Sequence, residues 1–380
     1  LRKSPAAAKV FLQNNEVPEK DFIIRQEDLA GTLEAIANKG AAGFYQGSLA
    51  KQLIKGVNRA GGIWSLQDLK DYRVIEREPL VSEYRGMTLT SVAPPSSGGV
   101  AMIEILNQLS NWKLEALPQS QRVHLIVEAM RRAYRDRAEY LGDSDFVAMP
   151  INRLTHPMYA AGLAATIHPD KATPSASLPG VISAEVGQDT THFSVIDHEG
   201  NRVAATLSIN YPFGSCFVPP GTGVLLNDEM DDFSSKPGVP NVYGLVGNEA
   251  NAIEPGKRML SSMSPTFLET EDRIAVIGTP GGSRIITMVL LGALEFFNGA
   301  NADAIVNLPR FHHQYLPDMI FYEPDAFDPE LQHALEQKGH QLQQGDRSWG
   351  NMQVVILDKG SSKIDAAADA RGLGSASIID

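Results

Sequence analysis

At 380 residues the chain can fill one large domain or two ordinary ones, and its 43% hydrophobic and 21% charged content is that of a soluble globular protein. The net charge of −12, with no dense block of Lys or Arg, argues against a nucleic-acid partner. A lone cysteine, Cys216, excludes an internal disulfide but leaves the compartment open.

In chain order, the first half reads mostly as helix. Residues 25–40 have helical spacing and a glycine stop, and residues 47–62 repeat that form. Ser65 is placed to cap the helix that SLQDLKDY opens. A short strand over 86–93 leads into the loop PPSSGG, residues 94–99. A long amphipathic helix is predicted over 119–141. The Pro/Ser-rich stretch KATPSASLPG, residues 171–180, reads as a flexible surface segment. It leads to DTTHFSVID, residues 189–197, where Thr190 heads an alternating strand.

Strands dominate the second half. Residues 191–197 and 202–210 form a hairpin around the turn DHEGN. Two more pairs are expected, 264–270 with 273–278 and 352–358 with 363–368, with helices at 283–297, 302–307 and 329–338. The apolar run 285–297 is too short to cross a bilayer and reads as a buried helix. No signal peptide is legible and the chain opens on Leu1, so export stays open at this point. Helices flanking mainly antiparallel strands predict a layered α+β body.

Several stretches carry residues suited to chemistry, each with a plainer alternative. GTPGGSR, residues 278–284, closes a strand and opens a helix. Its glycines and free N–H groups suit an anion or a developing oxyanion, or simply a tight turn. Without a Gly-Lys-Ser/Thr ending it is no phosphate loop. NDEMDDFS packs Asp228, Glu229, Asp231 and Asp232 together, to grip an ammonium group or to form a solvated turn. LSSMSP offers the hydroxyls of Ser261 and Ser262, for a carboxylate or for turn formation. The adjacent His312 and His313 of RFHHQ face opposite ways on a strand, which favours structural roles over a shared metal.

Taken together, DTTHFSVID, LNDEMDDFSSKPGVPNVYGLVG, KRMLSSMSPT, GTPGGSRI and RFHHQYLPD follow one another in an ordered series. That series resembles the γ-glutamyltransferase (glutathione hydrolase) family of N-terminal nucleophile enzymes. PPSSGG, AYRDRAEYLGD and GGIWSLQDLKDY resemble the larger-subunit half of that family, so the likeness runs from about Gln26 to the C-terminus.

The resemblance implies an N-terminal nucleophile hydrolase fold, a four-layer αββα sandwich, incomplete here at its N-terminal side. It implies self-cleavage at the Asp189–Thr190 bond, giving a mostly helical piece 1–189 from the large subunit and a small catalytic subunit 190–380, paired as a heterodimer. Thr190 would then be nucleophile and base in one residue, because a free α-amine titrates near ~7.7–8 and can take its own hydroxyl's proton. Ser208 would hydrogen-bond the Thr190 hydroxyl, where many relatives carry threonine. Asn210, Glu229 and Asp232 would hold the substrate's α-amino end, Ser261 and Ser262 its α-carboxylate, and Gly281 and Gly282 the oxyanion. Tyr243 would close the pocket as part of a lid loop. The implied donors are glutathione and related γ-glutamyl compounds, and the acceptors are water, amino acids or dipeptides. The resemblance implies no cofactor and no metal, and a periplasmic or extracellular setting.

Two departures stand out. Typical members carry further residues upstream, including an arginine that pairs with the substrate α-carboxylate; here Lys257 or Arg258, beside the serines, would substitute in part. The family's DPR near the C-terminus reads DAR, residues 369–371, a change expected to alter only a turn. Two other readings remain beside γ-glutamyl transfer: a related amidase such as a cephalosporin acylase of the same fold, and an inactive fragment that lacks the arginine.

Overall fold

The computed structural model describes residues 1–178, 190–236, 238–239, 245 and 247–379. The chain forms two compact units, Leu1–Arg77 with Ile209–Glu229, and Glu78–Ser208 with Met230–Asp380. Each unit draws on sequence from both sides of Thr190.

The first unit is helical, with α1 (Pro5–Phe11), α2 (Glu27–Lys39), α3 (Ala41–Tyr45), α4 (Gly47–Arg59) and α5 (Leu66–Asp71). Local chemistry sets the starts. Ser4 caps α1 ahead of Pro5, and Ser65 forms a reciprocal capping box with Asp68 at α5. α4 buries Leu49, Ala50, Leu53, Gly56 and Val57. The later segment packs on these helices through small contacts. A Cβ on Gly56 would stand 2.6 Å from Pro219 Cβ, Thr32 Oγ1 donates to Thr222 O at 2.6 Å, and Phe11 meets Phe213 edge-on.

The second unit holds β1 (Leu80–Tyr84), β2 (Met87–Ser91), β3 (Thr191–Ile196), β4 (Arg202–Leu207), β5 (Thr266–Glu269) and β6 (Arg273–Gly278). Beyond these come β7 (Phe311–His312), β8 (Ile320–Tyr322), β9 (Leu342–Gln344), β10 (Gln353–Asp358) and β11 (Ile364–Ala368). Six strands make one antiparallel sheet in the order β1-β2-β5-β6-β10-β11, and among the described residues β3 pairs only with β4. The helices are α6 (Gly98–Leu109), α7 (Gln119–Tyr140), α8 (Ile151–Leu154), α9 (Pro157–Ala164), α10 (Ile285–Phe297), α11 (Ala302–Asn307) and α12 (Pro329–Gln337).

Central strand β6 is buried on both faces. Ala275 and Ile277 join the apolar core that α6, α7 and α10 share, with Gly292 of α10 close over Ile277. Gly278 faces the β3–β4 ribbon instead, through His192. Among the described residues no helix is long and apolar enough to cross a membrane.

One expectation is corrected and another refined. PPSSGG is a loop only to Ser97; Gly98 and Gly99 open α6, a helix buried on every side. Such a helix has no polar face, so its sequence shows no period. The glycines are required by crowding, since a Cβ on Gly98 would meet Ser264 Oγ at 2.2 Å and one on Gly99 would meet Val92 O at 2.4 Å. The stretch 171–178 lies partly at the surface, with Lys171, Pro174, Ala176 and Ser177 exposed, but it is anchored at Ser175. Ser175 is fully buried, its Oγ accepting from Arg131 and donating to Tyr315 O, both at 2.6 Å. Long-range partners override the polar composition; residues 179–180 lie outside the described residues.

Candidate active site

Thr190 stands immediately before β3, opposite Ser208, in the register that pairs Thr191 with Leu207. Its Oγ1 lies 3.3 Å from Ser208 Oγ. The turn fixes that register: Asp197 N donates to Asn201 O at 3.0 Å, and the Asp197 carboxylate accepts from the backbone N–H of Glu199 and Asn201.

Two residues on, His192 anchors the strand. Its ring nitrogens lie 2.8 Å from Thr206 Oγ1 and 3.0 Å from Ser194 Oγ. Burial lowers its pKa to about 4, so it packs as a neutral imidazole. The ring occupies the space beside Gly278, three residues before Gly281. Strand β3 is thereby tied to the strand that ends in the glycine loop.

Gly281 and Gly282 have φ of 147° and 56°, values that favour glycine, and a Cβ on Gly281 would meet Met288 Cε at 2.3 Å. They lead through a 3₁₀ turn, Gly282–Arg284, into α10. This is the strand-to-helix loop that the sequence indicated, with N–H groups outside the helical ladder.

The two serine-rich stretches, distant in sequence, run side by side. Ser261 N donates to Pro95 O and Ser97 N to Ser261 O, each at 2.8 Å. Ser97 Oγ also donates to Ser261 O at 2.7 Å. Ser261 Oγ accepts from Met263 N at 3.1 Å. Beneath them lies Arg137 of α7, 4% exposed, with Nε 2.9 Å from Ser97 Oγ and Nη2 3.2 Å from Ser262 Oγ. Burial lowers the Arg137 pKa, and the Tyr134 hydroxyl and the Asp232 carboxylate oppose that shift. No ion pair to Arg137 occurs among the described residues.

Sequence reasoning missed Arg137. The available signal was its place on the buried face of α7, in helical step with Met130 and Ala133. The suggested substitutes are engaged elsewhere: Lys257 Nζ pairs with Glu254 at 3.3 Å, and the Arg258 guanidinium is 3.9 Å from Asp145.

Glu229 and Asp232 end a single 3₁₀ turn, Glu229–Asp232. Asp232 O accepts from Asn251 Nδ2 at 2.7 Å, and Glu229 N donates to Asn227 Oδ1 at 3.1 Å. Asn210 is buried at φ 71°, a conformation asparagine tolerates, and its Nδ2 donates to Asp228 O at 3.3 Å. Asn210 and Glu229 belong to the first unit, and the other site residues to the second. Asp189 and Tyr243 lie outside the described residues.

The RFHHQ histidines are structural. His312 bonds Thr287 Oγ1 and Gln314 Oε1, each at 2.8 Å, and His313 bonds Asp318 at 3.3 Å. One metal-type grouping occurs among the described residues, His124 with Glu128 and His340. It suits a cation poorly. Burial raises the Glu128 pKa, but Arg131, Thr173 and Arg132 outweigh it and hold it at about 2, so the carboxylate is already committed to two guanidinium groups.

Comparison with known proteins identifies the family. The family model described as Gamma-glutamyltranspeptidase matches residues 1–379. A glutathione hydrolase proenzyme of Pseudomonas sp. (strain A14) is 46% identical over 337 residues, covering 88% of this chain and 59% of that protein. The glutathione hydrolase proenzyme of Escherichia coli (strain K12) is 41% identical over 369 residues, covering 96% and 63%. The chain thus spans about three fifths of the length of these curated relatives. The crystal structure of cephalosporin acylase from Bacillus halodurans superposes with a TM-score of 0.82 at 24% identity, covering 96% of this chain and 64% of that one. The likeness establishes a shared α+β fold. On its sequence, the chain belongs to the gamma-glutamyltranspeptidase family.

Proposed function

We propose that the protein transfers γ-glutamyl groups through a threonyl ester on Thr190, after self-cleavage of the Asp189–Thr190 bond into two paired subunits. The observation that carries this reading is the Thr190–Ser208 hydroxyl pair at the head of β3. An internal threonine has no base of its own, but a terminal one has its α-amine. The amine takes the Thr190 hydroxyl proton as Oγ1 attacks the γ-carbonyl of glutathione. Gly281 and Gly282 N–H groups stabilise the oxyanion. The amide C–N bond breaks and the ammonium returns its proton to the departing Cys-Gly amine. Water then cleaves the ester to give glutamate, or the amine of an amino acid or dipeptide takes the glutamyl group. Ser208 orients Oγ1; Asn210, Glu229 and Asp232 serve the substrate ammonium; Ser261 and Ser262 serve its carboxylate; Tyr243 closes over it.

The finer architecture belongs to the same proposal. In a four-layer αββα sandwich, the β3–β4 ribbon is part of the second sheet, and its far side faces another layer. The apolar, roughly half-exposed row of Phe193, Val195, Val203 and Leu207 supports this. The family setting supports a periplasmic or extracellular location. A cephalosporin-acylase-like amidase rests on the shared fold alone.

The test is turnover of a γ-glutamyl anilide by Thr190→Ala and Thr190→Ser. The alanine variant should be inactive, while serine, which keeps hydroxyl and amine, should retain part of the rate. Full turnover by the alanine variant removes Thr190 as nucleophile.

A further inference from the structure

We propose that Arg137 is a positioning residue that supplies the positive charge behind Ser261 and Ser262 and aims both serines at an anionic group of the ligand. The inference rests on the γ-glutamyl reading above.

A guanidinium only donates hydrogen bonds. Ser262 Oγ must therefore accept from Arg137 Nη2, which leaves the Ser262 hydroxyl hydrogen free to donate elsewhere. The same argument passes through Ser97. Its Oγ accepts from Arg137 Nε and gives its own hydrogen to Ser261 O, fixing the Ser261 backbone. Ser261 Oγ accepts from Met263 N, so its hydrogen is free as well. The result is two adjacent O–H donors with one buried cation behind them.

A site of donors and positive charge selects an acceptor that is negative, which a substrate carboxylate is. Burial disfavours the Arg137 charge, and the Asp232 carboxylate offsets that only in part. An arriving anion supplies further compensating charge. Arg137 Nη1, moreover, has no acceptor among the described residues.

The experiment compares the cleaved wild-type protein, Arg137→Gln and Arg137→Lys on two anilides. One is the γ-glutamyl anilide; the other is the 4-aminobutyryl anilide, identical but for the missing α-carboxylate. Calorimetric binding of L-glutamate and of 4-aminobutyrate accompanies it. For Arg137→Gln, KM for the glutamyl anilide should rise roughly tenfold to a hundredfold, the loss expected for one charge-assisted hydrogen-bond system. That rise should exceed the change for the 4-aminobutyryl anilide at least tenfold, with kcat affected less. Arg137→Lys keeps the charge and should restore part of the difference. Should the glutamine variant not fold, the lysine variant's binding ratio for the two amines carries the comparison, and it should fall below the wild-type ratio.

Equal losses on both anilides, or no loss on either, overturn the inference while leaving γ-glutamyl transfer standing. A wild-type protein that binds L-glutamate and 4-aminobutyrate alike, and turns over neither anilide preferentially, overturns both.

Discussion

The imidazole of His192 fills the place that a side chain on Gly278 would need: a Cβ there would approach three ring atoms to 2.2, 2.3 and 2.6 Å. This contact locks the strand headed by Thr190 to the strand that runs into Gly281. Gly278→Ala should therefore destabilise the protein by about 1–3 kcal/mol, the usual cost of overpacking. It should also slow turnover by shifting Thr190. A double-mutant cycle with His192→Ala should show coupling of about 1 kcal/mol or more, read from denaturant midpoints. Strict additivity would separate the two residues.

Acid stability follows from buried neutral histidines. Burial lowers His192 and His313 to about 4 and His312 to about 3. Their unfolded values lie near ~6.5, so between those limits the unfolded chain binds more protons than the folded one. Stability should be complete above pH ~6.5 and fall as pH drops from there toward 4 and then 3. Each histidine contributes on the order of 1.4 kcal/mol for every pH unit between its folded and unfolded values, so from pH ~6.5 to ~4 the three together bound the loss at about 10 kcal/mol. Urea midpoints measured from pH ~7.5 to ~4 check this. A flat profile from pH ~6.5 to ~4.5 would contradict it.

The DAR tripeptide bears on stability more than its sequence suggests. Asp369, 1% exposed, meets Arg310 at 2.5 Å and Arg371 at 3.1 Å, and Arg371 in turn pairs with Glu323 at 2.7 Å. Ala370 itself is exposed and donates its N–H to Asn307 Oδ1 at 3.4 Å, a bond proline lacks. The alanine is thus a local change, as expected, but its neighbours hold a buried ion network. Asp369→Asn should cost about 3–5 kcal/mol by stranding Arg310. A thermal midpoint within a degree of wild type would show that the network does not stabilise the fold.

The acidic turn gives a separable effect. Glu229→Gln and Asp232→Asn should raise KM for γ-glutamyl substrates while self-cleavage continues, since cleavage involves no substrate ammonium. Unchanged KM in both would return the cluster to a solvated turn.

What the sequence made legible was local. The β3–β4 hairpin, the capping of α5 by Ser65 and the amphipathic α7 follow from alternation, turn residues and helical period within a few residues of each other. What stayed hidden depends on distant partners. Nothing in 98–109 separates α6 from a loop plus strand, because all its faces are buried. Ser175 looks like surface until Arg131 and Tyr315 are brought to it. Arg137 was passed over because its partners, Ser97 and Ser262, lie 40 and 125 positions away. The family resemblance implies roles for the serines and is silent on the guanidinium bonded to Ser97 and Ser262.

The central claim is that Thr190 becomes a chain end, and intact mass measurement of the purified, folded protein at neutral pH tests it most directly. For this 380-residue sequence the account predicts two fragments, of 189 residues and of 380 − 189 = 191 residues, the second beginning with Thr190. Thr190→Ala should remain a single chain. A wild-type protein that stays whole after prolonged incubation, or that is cut at any other bond, would contradict the account.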